Sequence, residues 1–240
     1  MANQPALHQF EQSSASTAAA ALDPALRAYM LRVYNYMAGG LVLTGTVAYL
    51  GAASGFYASV IGTPVFWIVL FAPLGLVFFL SFRIQTMSLG AAQFSFWTYA
   101  GLVGLSLSGI FLVYTGQSIA QVFFVSAATF GATSFYAYTT QADLSRFGSF
   151  LFMGLIGIVI AGLVNLYLAS AALQYGISII GVLVFVGLTA YDTQRIREIY
   201  VAGENDLVSG KKAIMGALAL YLDFLNLFLM MMQLFGGRRR

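Results

Sequence analysis

Cysteine is absent from the 240 residues, and the only histidine is His8. Without cysteine there is no disulfide framework, thiolate nucleophile or soft-metal thiolate site. A lone histidine with no second histidine or carboxylate cluster beside it leaves nothing from which to build a zinc centre or a histidine-based catalytic site. The chain is therefore expected to be no enzyme and to need no cofactor. It also lacks a glycine-rich loop carrying a lysine, and no basic stripe alternates with aromatics, so neither nucleotide nor nucleic acid is an expected partner. Proline is scarce too, with four in the chain.

Charge is the scarcest property. Only 8% of the residues are Asp, Glu, Lys or Arg, whereas a soluble domain carries about 25%. None occurs from 33 to 82, from 84 to 142 or from 147 to 191, and Asp223 alone interrupts 213 to 237. What fills these gaps is apolar: 60% of the residues are hydrophobic and the mean hydropathy is +0.85. The lipid bilayer is the expected surrounding medium.

A membrane helix needs roughly 20 apolar residues, so each of the three clean stretches holds two spans and the last holds one. Small polar residues and breakers mark the turns at Ser54 to Pro64, at 114 to 118 and at 169 to 176. The predicted spans are 32–53, 64–86, 90–113, 119–140, 148–168, 176–199 and 213–235. A transmembrane barrel would alternate apolar and polar residues, but LFMGLIGIVIAGLVNLYL at 151–168 is apolar on every face. The expected fold class is thus an all-α polytopic membrane protein. Gly101, Gly104 and Ser108, and Gly154, Gly157, Ala161 and Gly162, are candidates for close backbone approach between helices.

Residues 1–22 are rich in Ser, Gln and Ala and show no periodic apolar face, which predicts a disordered tail ahead of a seven-helix domain over 23–237 and a basic end at 238–240. Arg27, Arg32, Arg83, Arg146, Arg195, Arg197, Lys211 and Lys212 fall on the N-terminal side when the spans alternate, and the loops of the other side hold no basic residue. The positive-inside rule then places the N-terminus in the cytoplasm. Arg238, Arg239 and Arg240 run against it, and a re-entrant last segment would put both termini on one side.

Three charges enter the membrane: Arg83, Asp192 and Asp223. Each costs about 2.5–3.5 kcal/mol near the bilayer centre on insertion scales and needs a partner or a purpose. Counted along the helices, all three lie in the half of the membrane nearer the N-terminal side. Asp192 has Arg195 three residues on, so a local ion pair would also account for it, and Arg83 could snorkel to the interface. Asp223, with Tyr221 and Asn226 as its nearest polar companions, is the hardest to explain structurally. If the two aspartates face each other, they would share a proton and titrate as a pair. When ionised they would suit a hard cation such as calcium, weakly held, or the forked guanidinium of Arg83.

Three stretches, FGATSFYAYTTQADLSRFGSFLFMGLIGIVIAGLVNLYL (130–168), LTAYDTQRIREIY (188–200) and GALALYLDFLNLFL (216–229), resemble bacterial members of the Bax inhibitor-1, or transmembrane Bax inhibitor motif, family. The resemblance runs from the first span to the C-terminus. It implies seven helices with the last central and wrapped by the other six, in the bacterial inner membrane. It also implies a pH-sensitive calcium leak in which Asp192 and Asp223 form the paired aspartates and Arg83 the latch; Arg195, Asn226 and Tyr221 are candidate neighbours of the pair by their spacing alone. The polar segment from Glu198 to Lys212 is where departure from shorter-looped relatives is expected.

An alternative reading is a non-transporting interaction protein that modulates another membrane protein, such as a membrane-bound protease. Intramembrane aspartyl proteases also pair two aspartates, but Tyr221 and Leu222 occupy the places where their second motif needs glycine, and no Pro-Ala-Leu follows.

Overall fold

The computed structural model describes residues 24–239 in full, and the predicted tail at 1–22 lies outside the described residues. Seven helices are long and apolar enough to cross a membrane: α1 (Pro24–Ala53), α2 (Pro64–Arg83), α3 (Leu89–Val113), α4 (Gly116–Thr139), α5 (Ser145–Leu168), α6 (Ala171–Glu198) and α7 (Asp206–Phe235). Every predicted span falls on one of them.

Local chemistry sets their starts. Pro64 opens α2, where its missing N–H costs nothing. Side chains of Ser88, Thr115, Ser170 and Asn205 accept backbone N–H groups at the starts of α3, α4, α6 and α7. The turn between α5 and α6 is tight enough to hold Ala169 at a φ of 48°, a left-handed conformation uncommon for a residue with a Cβ.

α7 is the axis. In its most apolar stretch 67% of the residues are buried, against 6% for α5. It packs against α6, α1, α4 and α3; α2 leans chiefly on α3, and α5 on α6. The ring around the central helix is therefore uneven, with four helices touching it broadly and two set outside them. The small-residue expectation holds at Gly104 and Ser108. A Cβ on Gly104 would come within 2.7 Å of the Thr44 carbonyl on α1, so α1 and α3 touch backbone to backbone there. Gly101, Gly157 and Gly162 instead face open space.

The last two helices start earlier than the sequence reading has them, α6 at Ala171 against 176. α7 begins at Asp206, seven residues before the predicted 213. About half of the expected loop from Glu198 to Lys212 is thus helix, capped by Asn205 and tied down where Lys212 Nζ meets the Glu204 carboxylate at 2.8 Å. α7 also runs through to the opposite end, where Thr115 N–H donates to the Gly237 carbonyl and Arg239 N–H to the Val113 carbonyl. A re-entrant last segment is excluded: Arg238 and Arg239 lie with the α3–α4 turn, at the end away from Arg83 and Arg146.

Candidate functional site

Asp192 sits on α6 and Asp223 on α7, and the two helices are locked in register by close contacts. A Cβ on Gly216 would meet Ile196 at 3.1 Å, and one on Gly181 would meet Met230 at 2.8 Å. In this antiparallel register the two aspartates stand about one helical turn apart along the axis.

Both line a cavity of about 530 Å³ walled by α5, α6 and α7, whose rim includes Ser149 and Arg195. Across this space α5 stands apart from the central helix. Asp223 is 5% exposed, and its Oδ2 has no hydrogen-bond partner among the described residues. A buried carboxylate oxygen without a donor is costly unless a proton, a cation or water meets it.

The cation facing the pair is Arg195, one turn along α6, whose charge acts on Asp192. No ion pair within 4 Å joins them among the described residues. Asn226 lines the same cavity and spends its amide on the Leu222 carbonyl of its own helix, at 2.8 Å.

Two of the expected site residues stand elsewhere. Arg83 is exposed at the end of α2 and does not line the cavity. The Gln85 carbonyl just beyond it receives Lys211 Nζ at 3.0 Å, which sets this end of α2 beside the start of α7, roughly 18 Å along the axis from Asp223 at 1.5 Å per residue. Counting residues gives depth along a helix but not which neighbour the helix leans on, and α2 leans on α3. Tyr221 also leaves the site. Two residues on a helix turn the side chain by about 200°, and its hydroxyl lies 2.6 Å from Thr44 Oγ1, which in turn donates to the Ala100 carbonyl.

Two residues that the sequence reading passed over hold Asp192 in place. Gln194 accepts from Leu144 N–H at 2.7 Å and donates to the Ala142 carbonyl at 2.8 Å, pinning the α4–α5 connection onto α6. Thr193 Oγ1 lies 2.8 Å from Ser134 Oγ, which lies 2.6 Å from the Tyr34 hydroxyl, so α6, α4 and α1 are joined by one chain of hydroxyls. The signal was the pair of consecutive polar residues after Asp192 in YDTQ. In the pinned connection, Asp143 accepts from both Ser145 N–H and its hydroxyl, which hold the Asp143 carboxyl below the usual range, with Arg146 adding to the effect.

The family model for "Inhibitor of apoptosis-promoting Bax1" matches residues 26–240. The chain belongs to the Bax inhibitor-1 family. Among relatives, the inner membrane protein YbhL of Escherichia coli K12 is 49% identical over 218 residues, covering 89% of this chain and 93% of YbhL. Protein RP147 of Rickettsia prowazekii is 49% identical over 90% of this chain and 92% of its own length. The membrane protein SpyM3_0260 of Streptococcus pyogenes is 34% identical over 89% and 94%. Family membership thus covers all seven helices, including those that carry Asp192 and Asp223. Among the described residues no group of three or more His, Cys, Asp or Glu side chains converges.

Proposed function

We propose that the protein is a pH-responsive cation leak of an inner membrane, with calcium as cargo and Asp192 and Asp223 as its titrating and ion-coordinating pair. One observation carries the reading. Two carboxylates from different helices share a cavity inside the membrane-spanning bundle, and an oxygen of the deeper one is without a partner among the described residues. Such groups in a membrane domain mark ion pathways or proton relays more often than scaffold. Facing each other, they titrate as one unit. Two carboxylates with water make a hydrated, weak calcium site, suited to passage more than to storage. The inner-membrane location rests on the name of the E. coli relative and on the seven spans.

Arg195, not Arg83, is the cation placed to compensate the pair in this conformation. The test is calcium flux into liposomes holding the purified protein between about pH 5 and 8, beside Asp192→Asn and Asp223→Asn. The expected result is a flux with a pH midpoint that both substitutions remove. Protein-dependent flux at no pH would overturn the reading and leave a non-transporting interaction protein as the better account.

A further inference from the structure

On the other side of α7 lies a feature that the cation reading does not use. α1 and α4 both pack against α7 but not broadly against each other. Between them runs a crevice made of two cavities, of about 650 and 270 Å³, which share Leu41, Phe123 and Phe224. Along α1 it extends from Arg27 to Ala48, about 32 Å at 1.5 Å per residue, which is the thickness of the hydrocarbon core. Its floor is the central helix at Phe224.

The wall chemistry selects the occupant. The Tyr34 and Ser134 hydroxyls that reach the floor bond to each other, so the larger cavity presents an almost wholly apolar lining. Gly131 lines it, and a Cβ there would meet nothing within 4 Å. The rim is basic: Arg27 borders the cavity, and Arg197 Nη1 donates at 2.6 Å to the carbonyl of Tyr138, another lining residue. Among the described residues no acidic side chain lines either cavity. The larger cavity alone, from Arg27 to Val42 along α1, is about 22 Å long at 1.5 Å per residue, and an apolar slot of this single-leaflet length with guanidinium groups at its mouth complements a molecule with fatty chains and a phosphate head.

We propose that the crevice between α1 and α4 binds one diacyl phospholipid, its chains against Phe123, Phe224 and Gly131 and its phosphate at Arg27. The lipid would fill the gap between α1 and α4 over Phe224, which is itself buried. The proposal is independent of any ion conducted on the opposite side of α7.

Native mass spectrometry of the full chain in mild detergent tests it, with phosphatidylglycerol and phosphatidylcholine titrated into delipidated protein. The expected result is one lipid bound per chain ahead of any others, with phosphatidylglycerol preferred. Gly131→Phe, which fills the slot, should abolish this first binding event. Arg27→Ala should weaken phosphatidylglycerol roughly fivefold, the contribution of one basic residue near an anionic head group, and bring the two lipids level. Several equivalent lipids on the wild type, as in an ordinary boundary layer, would overturn the proposal, as would unchanged binding to folded Gly131→Phe. If that variant does not fold, equal phosphatidylglycerol affinity in wild type and Arg27→Ala overturns it.

Discussion

Tyr221 and Asp223 stand two residues apart on α7 and point to opposite sides of it, the phenol to Thr44 of α1 and the carboxyl to the cavity walled by α5 and α6. One helix therefore carries a structural tie and a candidate ion site at the same depth, and substitution can separate them. Tyr221→Phe removes the tie to Thr44 while keeping the ring against Phe96 and Tyr99. The expected cost is about 0.6 kcal/mol, typical of hydrogen bonds between membrane helices, read as a small drop in thermal midpoint. The pH midpoint of flux should not move.

The two arginines separate in the same way. Arg195→Gln takes away the cation that borders the pair, so ionising it becomes less favourable and the flux midpoint should move to higher pH by about one unit. Arg83→Gln, at the exposed end of α2, should leave the midpoint where it is. A midpoint that follows Arg83 and ignores Arg195 would mean that α2 swings inward in the conducting state.

Asp143 supplies a control for pH. Its carboxyl is held below the usual range by Ser145 and Arg146, so its bonds favour the folded loop at pH values above the unfolded pKa of about 3.9. That contribution is lost as pH falls through the lower, folded value. Between pH 5 and 8 it is constant, and Asp143→Asn should leave any flux midpoint in that window unchanged.

Gly104→Val tests the contact between α1 and α3. The new side chain would meet the Thr44 carbonyl and Val47, neither of which yields easily, and overpacking of this kind costs about 1–3 kcal/mol. Gly101→Val, which points into open space, should be nearly neutral. Comparing the two thermal midpoints in detergent checks the packing directly.

Because the chain has no cysteine, single introduced thiols report sidedness without background. Ala202→Cys and Gly237→Cys, near opposite ends of α7, should react from opposite faces of the membrane, Ala202→Cys from the cytoplasm if the basic loops are inside. Labelling of both from one face would contradict the through-running seventh helix.

The seven spans were legible because a bilayer imposes a length and forbids charge, and both constraints show in the intervals between charged residues. The start of α7 was not, since hydropathy measures the membrane and Asp206–Lys212 is helix beyond its apolar stretch. The aspartate pair was legible for the same reason as the spans: a carboxylate in an apolar run has to be accounted for. The place of Arg83 was not. Depth follows from counting, whereas the azimuth of α2 is set by its packing on α3, and a helix apolar on every face gives no sign of that choice. Gln194 escaped notice because it stabilises a loop fifty residues earlier in the chain.

The backbone pairing of residues 237–239 with Val113 and Thr115 has a mechanical meaning. At its other end α7 is moored by Lys212 to Glu204 and by Lys211 to Gln85. A rod fixed at both ends can neither slide nor turn much. The wall of the aspartate cavity left free of these moorings is α5, which packs chiefly on α6 and is the least buried of the seven spans.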